Sequence, residues 1–401
     1  MLTSLAFIFL AGLLMAAVCK RLRLPGMIGM LITGIVLGPY VLDLLDPSIL
    51  SVSSDLRQMA LIIILLKAGL SLDLSDLKKV GRPAIMMSCV PASCEILAFF
   101  LLAPSLLGVT RIEAAVMGAV LAAVSPAVVV PRMVRLMDEK YGTKKSIPQL
   151  ILAGASCDDI FVIVLFSTFS GMAQGGHANV MGFVNIPVSI VLGIALGAAA
   201  GFVLSVFFET SYAHRHCVRN SVKVIIVLGV SFLLMAVETW LKGIVSVSGL
   251  LAVVSMACVI RIRCVPQVTA RLSEKFGKLW LAAEVILFVL VGAAVDIRYT
   301  LEAGIAAVAM IFAALIFRGI GVSLCLVKTS LSFKERLFCI IAYLPKATVQ
   351  AAIGSVPLAM GLPCGKIVLS VAVLAILITA PLGAIGIDST YKKLLTHDEN
   401  G

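Results

Sequence analysis

The chain has 401 residues, of which 61% are hydrophobic and only 13% charged, and its mean hydropathy is +1.13. Soluble domains use roughly 45 to 50% apolar residues, so this composition excludes a soluble globular protein and points to a polytopic membrane protein. The net charge of +11 at pH 7 suggests nucleic acid only until its distribution is read.

Apolar runs of about 17 to 25 residues, bounded by charge or by Gly and Pro clusters, predict an all-α fold of about thirteen transmembrane helices. In chain order they cover residues 3–19, 25–42, 57–72, 83–107, 112–134, 147–172, 184–208, 220–240, 244–260, 277–296, 301–327, 335–359 and 364–387. The first lacks a positive leading region and a small-residue cleavage site, so it is expected to be retained. Connections after odd-numbered helices, with the tail, carry 24 basic residues, among them Lys20, Arg21, Arg23, Lys78, Lys79, Arg132, Arg135, Arg215, Lys223, Lys392 and Lys393. Only Arg57, Arg111, Lys242, Arg298 and Lys366 fall on the other side. Cytoplasmic loops carry such an excess, which places the N-terminus outside and the C-terminus in the cytoplasm. The charge orients the chain, and no nucleic-acid partner is expected. Ten scattered cysteines without a CxxC pair, such as Cys89, Cys94 and Cys325, read as small apolar residues, so neither disulfides nor a metal cluster nor any cofactor is expected. His177, His214, His216 and His397 lie in loops or the tail.

The spans also hold ionisable residues. Asp158 and Asp159 are adjacent in ILAGASCDDIFVIVLFSTF, with about ten apolar residues on either side. A charge near the bilayer centre costs roughly 2.5 to 3.5 kcal/mol, so a pair there is tolerated mainly where it lines a polar cavity or ion path. The bland alternative, a pair near a helix end reaching headgroup water, fits the mid-span position poorly. Glu95, Arg318 and Lys346 also lie deep, whereas Lys67 is near a cytoplasmic end and can snorkel. Pairing among the deep charges offsets part of their insertion cost.

An internal repeat organises them. Gly69-Leu-Ser-Leu-Asp73-Leu resembles Gly292-Ala-Ala-Val-Asp296-Ile at an offset of 223, which also maps Glu95 onto Arg318 and Ser125-Pro126 onto the neighbourhood of Pro345 to Thr348. An odd spacing of helices between the two units means inverted topology, a common build for secondary transporters with midplane sites. Pro126 and Pro345 each fall near the middle of a predicted span. Proline removes a backbone donor, so a helix opens there only beside protein or a wet cavity, and crossed half-helices with carbonyls free to ligate a cation are expected. Ordinary proline kinks are the competing expectation for either proline alone.

The segments GASCDDIFVIVLFS, AVSPAVVVPRM and YLPKATVQAAIGSVPLA resemble the NHA-type branch of the monovalent cation:proton antiporters, within the cation/proton antiporter superfamily, from about the second helix to the thirteenth. The resemblance implies a homodimer with two crossing broken helices and elevator-like alternating access. It implies scaffold and dimerisation helices over 1–80 and 220–299, a linker helix over 184–208, and an ion-carrying core over 83–172 and 301–387. Its ion-binding aspartates fall on Asp158 and Asp159, its broken-helix Ser-Pro on Ser125 and Pro126, and its lysine and threonine on Lys346 and Thr348, after Pro345. A core ion pair falls on Glu95 and Arg318, with a structural task, and Lys67 matches no motif. The implied activity is exchange of Na+ or Li+ for H+, with both ions competing for the carboxylates and Lys346 as countercharge. Membrane lipids and a bacterial cytoplasmic membrane complete the expectation. A sodium-coupled organic-solute symporter of the same general fold is the alternative. An intramembrane aspartyl protease would need its aspartates on separate helices, and a cation channel would need filter-like carbonyl loops.

Overall fold

The structure, a computed structural model, describes residues 1–22, 24–71, 81–174, 180–213, 219–241 and 247–397. Arg23, Asp73, Lys78, Lys79, His177, His214, Arg215, His216 and Lys242, and the side chain of Arg298, lie outside the described residues. Among the described residues there are eighteen helices. In order they are α1 (Leu2–Arg21), α2 (Gly26–Leu37), α3 (Pro47–Ser51), α4 (Ser53–Ser71), α5 (Arg82–Met87), α6 (Val90–Leu107), α7 (Arg111–Leu121), α8 (Pro126–Asp138) and α9 (Ile147–Gln174). The second half continues with α10 (Val180–Ala213), α11 (Asn220–Leu241), α12 (Gly249–Arg263), α13 (Pro266–Ala293), α14 (Ile297–Cys325), α15 (Phe333–Ala342), α16 (Thr348–Gly354), α17 (Val356–Ala359) and α18 (Gly365–Leu394).

Each predicted span falls on helix, three of them in pieces. Among the described residues eight stretches are long and apolar enough to cross a membrane, and the protein is a multi-pass membrane protein. The span predicted over 83–107 is interrupted at Ser88 and Cys89 because Pro91 lacks the N–H that would bond the Met87 carbonyl. The predicted start at 277 moves back to Pro266, since a polar first stretch can be helical without being apolar. Helix α3 has no apolar signal: Pro47 sits at its first position and the Asp46 side chain accepts from the Ser48 N–H at 2.8 Å. Arg57, expected in an outside connection, instead lies in α4 and is buried. Lys223, expected in a cytoplasmic connection, is buried on α11 with its ammonium 5.3 Å from the Phe208 ring centre. An aromatic face supplies such a cation with a partner.

The chain forms two compact units, Met1–Arg57, Asp73–Val162 and Val285–Gly401 in the first, and Gln58–Leu72 and Ile163–Glu284 in the second. Lipid tails are as apolar as leucine, so helices associate through close backbone approach at small residues. In the first unit Gly29 abuts the Met15 backbone, and Gly34 and Gly292 bring α2 against the end of α13, where Gly34 meets the Val289 carbonyl. The core near the site gathers Met87, Val124, Ile151, Phe338 and Tyr343. In the second unit Gly193, Gly197 and Gly201, spaced four apart on α10, meet the carbonyls of Ser248, Ala252 and Met256, spaced four apart along α12 and the residue before it.

Candidate functional site

Two helices of the first unit stop short and their loose ends meet. Helix α7 begins at a capping box of Thr110 and Glu113 and ends at Leu121; the chain then leaves the helix until Pro126 opens α8, at a first position where its missing N–H costs nothing. Helix α15 begins at a second capping box, Ser332 with Glu335, and ends at Ala342. Pro345 interrupts it and α16 opens at Thr348. The Ser125 N–H donates to the Pro345 carbonyl at 2.8 Å, tying one break to the other through the backbone. Gly383 of α18 lies so close behind that any side chain there would enter the Pro345 ring.

A helix end leaves carbonyls without donors. Those of Leu121 to Ala123 are all taken: Lys346 Nζ donates to Leu121 at 2.6 Å, Arg318 Nη1 donates to Ala122, and Gln350 Nε2 donates to Ala123 at 2.7 Å. The carbonyls that the sequence reading expected to be free to ligate a cation thus already accept side-chain donors here. Gln350 is itself held by the Ala347 N–H, which donates to its Oε1 at 2.8 Å.

The charges form one cluster, where the sequence suggested two separate groups. Arg318 on α14 donates Nη1 to Glu95 Oε2 at 2.9 Å, Nη2 to Asp158 Oδ2 at 3.0 Å and Nε to the Tyr343 carbonyl at 2.6 Å. Lys346 places its ammonium 2.7 Å from Glu95 Oε1 and 2.8 Å from Oε2. Its backbone N–H donates to Thr379 Oγ1 at 3.0 Å. The Val124 N–H adds a second donor to Asp158 Oδ2 at 2.8 Å. Glu95, Asp158, Arg318 and Lys346 are all fully buried. The countercharge that touches Asp158 is thus Arg318, while Lys346 stands on Glu95. The physical reason is that a guanidinium has donors enough to serve two carboxylates and carbonyls at once, whereas an ammonium has three.

Among the buried oxygens without a hydrogen-bond partner in the described residues are Asp158 Oδ1, Asp159 Oδ1, Ser125 Oγ and the Tyr343 hydroxyl. Asp159 is 7% exposed and Ser125 fully buried. Ser125 directly follows Val124, whose N–H bonds Asp158, so its backbone lies at the same break. Thr348 is buried at the start of α16, and Pro126 is half-buried. Hard oxygen donors of this kind suit a small monovalent cation. Lys67 is half-buried in the second unit. Sequence reasoning missed Gln350, Tyr343 and Thr379 as parts of the site. Gln350 has a signal, an amide inside an apolar span directly after a proline break; the other two act through a carbonyl and a capping hydroxyl, which only folding reveals.

A sequence profile for the family described as "Sodium/hydrogen exchanger, transmembrane" matches residues 5–393. Sodium/hydrogen exchanger 9B2 of Homo sapiens is 34% identical over 390 residues, which cover 94% of this chain and 71% of that protein. Sodium/hydrogen exchanger 9B1 of Homo sapiens is 31% identical over 422 residues, covering 98% and 78%. The solved structure of the sodium proton antiporter MjNhaP1 from Methanocaldococcus jannaschii at pH 8 has the same fold, with a TM-score of 0.81 over 98% of this chain and 99% of that one at 22% identity. The profile spans nearly the whole length and the relatives agree with it, and the chain belongs to the sodium/hydrogen exchanger family, transporters rather than enzymes.

Proposed function

We propose that this protein exchanges Na+ or Li+ for H+ by elevator-like alternating access, with cation and proton competing for Asp159 and Asp158. The observation that carries the proposal is the set of buried oxygens left open, Oδ1 of both aspartates and Oγ of Ser125, beside bases that are already committed. Three buried carboxylates, Glu95, Asp158 and Asp159, face two buried cations, Arg318 and Lys346. One monovalent cation or one proton neutralises the remainder, so a loaded site crosses the low-dielectric layer at far lower cost than an empty one. The same count favours one proton per cation, with Lys346 keeping its proton on Glu95 throughout. The group titrates as a unit, not as one aspartate.

The scaffold helices 1–80 and 220–299, linker 184–208 and core 83–172 and 301–387 are part of the proposal, as is a homodimer. Support for inverted repeats comes from the breaks: adding 223 carries the interruption between Leu121 and Pro126 to 344 and 349, against helix bounds observed at Ala342 and Thr348. Neither the vertebrate relatives nor the archaeal structure points to the bacterial cytoplasmic membrane expected from the sequence. Membership of the exchanger family leaves the solute symporter without support.

The test is dequenching of a pH dye in proteoliposomes with an imposed pH gradient, adding Na+, Li+ or K+. Saturable Na+ or Li+ signals that vanish in Asp159→Asn are expected and should not change when the membrane potential is clamped. Full exchange by Asp159→Asn sinks the site assignment, silence of the folded wild type sinks the activity, and a response to potential sinks the one-to-one count.

A further inference from the structure

Beyond the ion site, the first unit carries a strongly basic recess where the ends of three helices meet. A cavity of about 730 Å³ is lined by Lys20 in the last turn of α1 and Leu24 after it, Arg132 and Arg135 of α8, and Asp388, Ser389, Tyr391, Lys392 and Lys393 at the end of α18. Five bases face one acid in the lining, and Glu139 outside it lies 3.6 Å from Arg135. The arginines are held in place from below. Arg132 donates Nε at 3.2 Å and Nη2 at 3.1 Å to Asp388 Oδ2, and Arg135 Nη2 donates to Asp388 Oδ1 at 3.0 Å. Arg135 also lies 5.3 Å over the Tyr391 ring. The three lysines have no such anchor in the lining acid and leave the recess with a surplus of positive charge.

The geometry points to a binding site for a phosphate-bearing anion, with the headgroup of an acidic phospholipid as its source. Three observations converge. All five bases belong to connections that charge distribution assigns to the cytoplasmic face, where acidic lipids and phosphates meet the protein. Arg135, clasped by Asp388 and lying over Tyr391, presents planar donors suited to phosphate oxygens, while Arg132, whose Nε and Nη2 hold Asp388 and whose Nη1 donates to the Val128 carbonyl at 2.9 Å, adds its charge. Below Lys20 the outer face of α1 exposes Leu10, Leu14 and Val18, an apolar track along which acyl chains can lie. A headgroup seated here touches α1 on one side and α8 and α18 on the other. Under the elevator reading above, on which this consequence rests, it links a scaffold helix to the core and holds the arrangement seen here. Helix α8 begins at Ser125-Pro126, so the clamp acts on the element that carries part of the ion site.

The experiment measures thermal unfolding of the full chain in detergent with added phosphatidylglycerol, phosphatidylcholine or inorganic phosphate, and exchange in liposomes of rising phosphatidylglycerol content. Phosphatidylglycerol is expected to raise the midpoint above that with phosphatidylcholine, and Lys20→Gln with Lys393→Gln to lose more than half of that shift. Arg111→Gln with Lys366→Gln removes the same charge on the opposite face and should keep the shift whole. Exchange by the wild type slows as phosphatidylglycerol rises, and the Lys20 and Lys393 double variant does not slow. A midpoint shift given equally by inorganic phosphate and lost in that variant keeps the phosphate site and overturns the lipid source. No shift with either, or equal loss in both double variants, overturns the site. Asp159→Asn should keep the lipid shift without exchange; exchange in that variant overturns the ion-site reading while leaving the recess intact.

Discussion

Two regions join helices by opposite means. At the crossing of the breaks, Glu95, Asp158, Arg318, Lys346 and Gln350 knit α6, α7, α9, α14 and α16 through buried polar contacts. Along α10 and α12 of the second unit, three glycines lie directly on backbone carbonyls, with Ser255 Oγ donating to the Ile194 carbonyl at 2.9 Å and the Val265 N–H just past α12 donating to Glu209 Oε1 at 2.9 Å. Glycine packing holds helices in lipid without desolvating a charge, and the second region shows that this chain uses it freely. Charges buried at the first region are therefore not needed for holding alone. Their expense is what the proposed ion site accounts for.

Several substitutions break or sharpen this contrast. The largest effect is expected from Asp159→Asn, which removes the uncompensated negative charge: exchange falls to background while the thermal midpoint holds or rises. A lowered midpoint would make Asp159 a structural member like Glu95. Next, Glu95→Gln withdraws the carboxylate shared by Arg318 and Lys346, and breaking a buried cluster this way costs on the order of 3 to 5 kcal/mol. Adding Lys346→Met should recover much of that loss in denaturant titrations; a further loss would contradict the pairing of Lys346 with Glu95. Third, Gly197→Leu drives a side chain into the Ala252 backbone at a cost of about 1 to 3 kcal/mol by overpacking, with the Na+ concentration for half-maximal exchange unchanged in the folded fraction. A changed Na+ dependence would couple the glycine seam to the ion site. The smallest effect belongs to Asp388→Asn at the partly exposed Arg132 and Arg135 clasp, about 0.2 to 1 kcal/mol in the same titration.

Much of the architecture is legible in the sequence because lipid imposes a blunt rule, long apolar runs separated by charge. The breaks at Pro126 and Pro345 are legible only as a pair related by the repeat, since Pro104, Pro131 and Pro381 lie inside helices that continue through them. The interruption before Pro91 is not, because a proline close to a predicted start reads as an ordinary first-turn residue. Pairing inside the cluster escapes the sequence for a different reason. Burial of Arg318 and Lys346 follows from hydropathy, but which carboxylate each serves depends on the number and direction of their donors. The offset of 223 that links Glu95 to Arg318 corresponds to a contact at 2.9 Å, yet nothing in it announces that Asp158 shares the same guanidinium. The seam of Gly193, Gly197 and Gly201 is spelled out at four-residue spacing, though hydropathy weighs it as featureless apolar filler.

Tyr343 gives its carbonyl to Arg318 and sets its hydroxyl against Gly154, one helical turn before Asp158. Any side chain at 154 would collide with that hydroxyl. A slip of α9 by one residue, 1.5 Å along its axis, would bring an alanine into the notch and swing the aspartates by about 100°. The notch is thus a depth gauge. It fixes the height of the carboxylates along α9, and under the proposed exchange that height sets the share of the transmembrane voltage an ion experiences on the way in and on the way out.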